Sequence, residues 1–119
     1  MSTTSPRGGR TDVLYFVNRF TVHGDAAEFE RAFSRTAEFL RGRPGLLEYT
    51  LLGDSDGEGQ YMNIALWTDE ASFRAAVGHP DFAQHAAAMR ELSVGESGFY
   101  RLRQSFVPGI GEVDPSFQV

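Results

Sequence analysis

The run GDSDGEG at 53–59 separates two apolar, β-forming segments, LLEYTLL at 46–52 and QYMNIALW at 60–67, and it restricts the fold more than any other stretch. Three glycines and three acids within seven residues favour a chain reversal over a regular element. The two flanking segments therefore read as an antiparallel hairpin.

The rest of the chain completes a pattern around that hairpin. DVLYFVNRFTV at 12–22 is rich in Val, Phe and Tyr and reads as a strand. HGD breaks it, with Asp25 placed to cap a helix. Ala26, Phe29, Phe33, Ala37 and Leu40 then recur at steps of three and four, so a helix over 26–42 has one apolar face, with Glu28, Glu30, Arg31, Arg35 and Glu38 on the other. GRPG at 42–45 ends this helix, because glycine allows a left-handed cap and proline cannot continue it. TDEASF at 68–73 has the form of a capping box with Thr68 as N-cap, and Asp69 and Glu70 favour the positive helix end. This second helix runs through Val77, breaks at GHP and resumes from Asp81 to about Leu92. A last strand is expected over roughly 98–107.

Strand, helix, strand, strand, helix, strand is the ferredoxin-like split unit of the α+β class, with helices on one sheet face only. Val13, Tyr15 and Val17 on the first strand, and Met62, Ile64 and Leu66 on the third, make the other face apolar as well. A second copy is its simplest cover, which predicts a homodimer joined sheet to sheet as a dimeric α+β barrel. The expected organisation is a flexible N-terminal arm over 1–11, one domain over 12–107, and a Gly- and Pro-rich tail over 108–119 that can pack across a neighbour.

At 119 residues the chain holds one domain and one core. Its net charge of -5 argues against a nucleic-acid partner. Lysine is absent, which removes Schiff-base chemistry, and cysteine is absent, which removes disulfides, thiolate nucleophiles and iron-sulfur clusters. The polar start MSTTSPRGGR lacks an apolar signal core and no run approaches membrane-spanning length, so a cytoplasmic protein without a membrane partner is expected.

Alternation along the strands places Leu14, Phe16, Asn18, Phe20 and Val22 on one face of the first, and Tyr61, Asn63, Ala65 and Trp67 on one face of the third. If the two faces coincide, two amides and an indole converge among apolar walls, the composition of a small-molecule site. Each residue alone also has a structural reading, since a buried asparagine can brace a helix end and a tryptophan commonly fills a core. His23 lies in a turn. His79 and His85 flank Asp81 but stand six residues apart across Pro80, which puts them on different helical faces and argues against a metal site. GIG at 109–111 follows a strand with no helix behind it and is not a nucleotide loop. No Ser-His-Asp arrangement is readable from spacing. Arg90, Arg101 and Arg103 are equally readable as contacts to a substrate acid and as solvated charges.

Taken together, FVNRFTV, RPGLLEYTLL, YMNIALWTDEASF and FAQH resemble the antibiotic biosynthesis monooxygenase superfamily over about residues 12–107. The N-x-x-x-W of the third strand is similar to the cofactor-independent anthrone oxygenases of aromatic polyketide pathways, in particular the nogalamycin type. The resemblance implies a homodimeric enzyme that oxidises an anthrone-type polyketide intermediate to the quinone with molecular oxygen as co-substrate and no cofactor. It implies catalytic roles for Asn18, Asn63 and Trp67, and substrate contacts from Phe16, Phe73 and His85. A haem-degrading branch shares the first-strand asparagine and has a histidine near His85, so haem binding or breakdown is the main alternative. That branch also carries a tryptophan where this chain has Ala76. Actinorhodin-pathway members have a tyrosine where this chain has Phe73, so the resemblance implies no phenol proton donor there. A cyclase or a non-catalytic dimeric binding domain on the same fold completes the alternatives.

Overall fold

A computed structural model describes residues 13–108; the arm expected over 1–11 and nearly all of the expected tail lie outside the described residues. The elements are β1 (Leu14–Val22), α1 (Ala26–Arg41), β2 (Leu46–Gly53), β3 (Gln60–Trp67), α2 (Glu70–Val77), α3 (Phe82–Leu92) and β4 (Ser93–Arg101). All pairings are antiparallel, in the order β2-β3-β1-β4, so the expected α+β ferredoxin-like sheet is present. No helix among the described residues is long and apolar enough to cross a membrane.

Local chemistry explains most element ends. Asp25 caps α1, its carboxylate accepting the Glu28 N–H at 3.3 Å. The α1 C-cap, Gly42, keeps a right-handed φ of -87°. The left-handed residue of GRPG is instead Gly45, at φ 99°, where a Cβ would stand 2.4 Å from that of Ser72. The cap of α2 is also one residue later than expected. Asp69 accepts the Ser72 N–H at 2.7 Å, while the Thr68 hydroxyl donates to the Ser72 Oγ at 3.3 Å. That bond to the Ser72 amide holds the Asp69 carboxyl below its ordinary range, because it stabilises the charged form.

The larger correction concerns β4, which spans 93–101 rather than 98–107. SVGESG carries turn-like glycines and serines, yet the strand pairs with β1 continuously from Val22–Ser93 to Leu14–Arg101. Pairing to a neighbour outweighs single-residue preference at a sheet edge. No loop intervenes after α3, and the Ser93 hydroxyl donates to the Met89 carbonyl at 2.8 Å across the junction.

The helices cover one sheet face. On the other, Tyr15, Val17, Met62 and Ile64 are only half-buried, and Leu52, Val94 and Tyr100 are exposed.

Candidate active site

The β1–β3 register sets the site. Asn18 lies directly opposite Asn63, Phe16 opposite Ala65, and Leu14 opposite Trp67. Opposed residues of an antiparallel pair project from the same face, here the helix-covered one. The interior beneath the helices divides into two apolar clusters. One gathers Phe20, Phe29, Phe33, Phe82 and Met89, and the other Leu14, Ala65, Trp67, Phe73 and Ala76. The two asparagines occupy the rung between them, and there a cavity of about 530 Å³ opens, within the ~300–1,000 Å³ usual for small-molecule sites.

Its walls are aromatic. Phe16 lies 4.6 Å from Phe73 and 5.7 Å from Phe99 by ring centroids; Phe73 meets Phe99 edge-on at 5.2 Å and Trp67 edge-on at 5.6 Å. Several flat faces at these separations suit a fused-ring ligand.

The polar side chains nearest the asparagine rung differ in whether they have partners. The hydroxyls of Thr36 and Ser93 are engaged: Thr36 donates to the carbonyls of Ala32 at 3.1 Å and His85 at 2.9 Å, and Ser93 to that of Met89. By contrast, Asn18 Oδ1, Asn63 Oδ1 and Trp67 Nε1 are buried with no hydrogen-bond partner among the described residues. Each orphaned group costs about 1–3 kcal/mol. All three belong to residues that line one cavity, a concentration of unmet hydrogen-bonding capacity that packing alone does not require. A fourth orphan, Arg43 Nε, lies outside this cavity, its guanidinium 5.8 Å from the Phe39 ring.

Among the described residues no carboxylate or imidazole lines the cavity, and the fixed charges of the lining are Arg74 and Arg90. Arg74 Nε bonds Glu70 at 2.6 Å and its guanidinium stands 5.5 Å from the Phe99 ring. Arg90 stands 5.3 Å from the Phe82 ring. Glu70 offsets the Arg74 charge, which leaves Arg90 as the uncompensated positive charge among the described lining residues. Tyr61 is not part of the lining: its hydroxyl donates to Glu30 at 2.6 Å, and that bond, with burial and the Glu30 charge, pushes the phenol up to about 12.

Of the residues singled out from sequence, Asn18, Asn63, Trp67, Phe16 and Phe73 all line the cavity. His85 does not. It is exposed on α3, stacked on Phe39 at 4.7 Å and 18°, and so is not brought to the other site residues. The histidine on which the haem alternative relied is thus not among the described lining residues. His79 sits edge-on to the same Phe39 ring, and its Nδ1 accepts the Asp81 N–H at 3.0 Å. Arg90 is in the lining, whereas Arg101 and Arg103 are not. Sequence reasoning missed Arg74 and the β4 wall of Gly95, Ser97 and Phe99. Strand alternation would have found that wall had β4 been placed at its true start.

Comparison with known proteins identifies the family. Deoxynogalonate monooxygenase of Streptomyces nogalater is 47% identical over 109 residues, covering 92% of each chain. Tetracenomycin-F1 monooxygenase of Streptomyces glaucescens is 32% identical over 111 residues, covering 89% of this chain and 93% of that one. The crystal structure of SnoaB, a cofactor-independent oxygenase from Streptomyces nogalater, superposes with a TM-score of 0.77 at 50% identity, covering 79% of this chain and 96% of that one. Residues 14–101 match the antibiotic biosynthesis monooxygenase family, and the chain belongs to it.

Proposed function

We propose that this protein is a cofactor-independent monooxygenase that oxidises an anthrone-type aromatic polyketide intermediate to the quinone with molecular oxygen. The observation that carries the reading is the convergence of the orphaned Asn18, Asn63 and Trp67 atoms on one aromatic cavity. The named activities of the relatives, and the cofactor-independent description of SnoaB, support the reaction class.

Ground-state oxygen reacts slowly with closed-shell molecules, so most oxygenases use a metal or flavin to transfer single electrons. An electron-rich carbanion escapes that need. A hydroxylated anthrone has an acidic methylene between two aromatic rings, and its loss of a proton gives a delocalised enolate. The enolate passes one electron to oxygen, and the resulting radical and superoxide combine into a C–O bond as a peroxide. Protonation and loss of water then leave the carbonyl. One oxygen molecule is consumed, with one atom ending in the quinone and the other in water.

The residues suit these steps. The carboxamides of Asn18 and Asn63 each offer donor and acceptor, exchanged by rotation of the terminal bond, and so serve phenolic hydroxyls and a developing enolate oxygen alike. In an apolar wall such donors act as an oxyanion hole. Trp67 Nε1–H can donate to a substrate or peroxide oxygen, and the Arg90 charge lowers the free energy of the ionised substrate. With no carboxylate or imidazole among the described lining residues, the methylene proton leaves to water or through an asparagine. The apolar outer sheet face fits the second copy expected from sequence, with the dimer as the working unit.

Oxygen uptake with a dithranol-like hydroxyanthrone is the test. The protein should consume one equivalent of oxygen per quinone formed, and should do so after exhaustive chelation. Loss of turnover on chelation, or product formation without oxygen uptake, would overturn the reading, the latter in favour of a cyclase.

A further inference from the structure

β4 carries an interior glycine that its backbone does not require. Gly95 lies in the middle of the strand, paired with Phe20, and it is not among the glycines with positive φ. Any L-residue can adopt its conformation, and a glycine inside a strand weakens it for lack of a side chain to pack. The reason for glycine is therefore steric. A Cβ at this position would stand 2.9 Å from Asn18 Oδ1, 3.5 Å from Nδ2 and 3.6 Å from Cγ, so the whole carboxamide lies against the bare Gly95 backbone. Gly95 is on the helix-covered face and lines the cavity.

We infer that Gly95 is a positioning residue: by omitting a side chain it fixes the seat of the Asn18 carboxamide in the active cavity. A methyl group here would force Oδ1 from 2.9 Å to at least the 3.4 Å of ordinary contact, a displacement of half an ångström. The atom displaced is the end of a flexible side chain rather than backbone. The fold therefore absorbs the change while the amide loses its alignment. A structural glycine would behave in the opposite way, with the fold failing first. The inference rests on the proposed role of Asn18.

The experiment is a double-mutant cycle on the full chain with Asn18→Ala, Gly95→Ala and the pair, read by oxygen uptake with the hydroxyanthrone and by thermal melting. Gly95→Ala should melt close to wild type, lose roughly 10-fold to 10²-fold in kcat, and keep its KM within about threefold, because the aromatic walls are untouched. In the Asn18→Ala background the same substitution should change kcat by less than about twofold, since the group it displaces is gone. If Gly95→Ala alone fails to fold, the double variant, in which the clash is relieved, should fold. Wild-type turnover in Gly95→Ala, multiplicative losses in the double variant, or unfolding of both would overturn the inference while leaving Asn18 itself in place. Wild-type turnover in Asn18→Ala would overturn the role of Asn18 and this inference with it.

Discussion

Asn63→Leu separates a catalytic amide from a structural brace by the sign of its effect on stability. Leucine reproduces the branching of asparagine at Cγ with methyl groups in place of Oδ1 and Nδ2, and the adjoining cavity of about 530 Å³ leaves room for their larger volume. Because Asn63 Oδ1 is buried without a partner, replacing it should relieve about 1–3 kcal/mol. At ~4 °C per kcal/mol for a domain of this size, melting should rise by about 4–12 °C. Oxygen uptake should fall by about 10²-fold to 10³-fold, the loss typical of removing an oxyanion donor. Differential scanning fluorimetry at fixed protein concentration reads the first quantity, since association would make Tm concentration-dependent. An oxygen electrode reads the second. A lower Tm with turnover near wild type would refute the reasoning and make Asn63 a brace; a higher Tm with unchanged turnover would place the chemistry elsewhere.

Other perturbations test neighbouring parts of the structure. Trp67→Phe keeps an aromatic ring against Phe73 but removes Nε1–H, so kcat should fall at least roughly 10-fold; the buried void should also lower Tm, and a variant that melts lower yet turns over normally would show the indole to be packing only. Tyr61→Phe should be less stable than wild type below pH 10. Because the folded phenol titrates at about 12, above the ~10 of the unfolded chain, that stabilisation is complete below pH 10 and is lost as pH rises through 12; urea midpoints of the two proteins should converge over that window, and a constant gap would contradict the Glu30 bond as its cause. Ile64→Glu places a charge at the centre of the half-buried outer sheet face and should convert a dimer to monomer in sedimentation velocity; a wild-type protein that already sediments as a monomer would remove the proposed second copy.

The hairpin and the amphipathic α1 were legible because each rests on a short-range regularity: a dense turn signal and a 3.6-residue apolar repeat. Strand alternation put Asn18 and Asn63 each on one face of its own strand; that the two faces coincide is set by the β1–β3 register, which strands apolar on both sides leave open in the sequence. β4 was misplaced because its evidence is long-range. Nothing local in SVGESG favours a strand; β1 supplies the pairing, and Gly95 is tolerated for the space it leaves beside Asn18. His85 failed for a different reason. Phe82, Ala86 and Met89 turn inward on α3, while Ala83, Ala87 and Ala88 leave apolar residues on its other sides as well, so composition does not reveal which way a histidine among them faces. Resemblance supplied a position along the helix without an azimuth.

The Asn18–Asn63 rung also explains how a small domain can hold a site within its own core. The rung lies between the Phe20 and Trp67 clusters, where the cavity opens. The same two residues thus border the space and, in the proposed role, present the groups that act within it. This coupling suits chemistry whose reactive electrons come from the substrate, because the protein then has only to supply a dry aromatic wall and a few hydrogen-bonding groups aimed at one oxygen. It also means that stability and turnover should move in opposite directions at these two positions, whereas at Gly95 turnover should move with almost no change in stability.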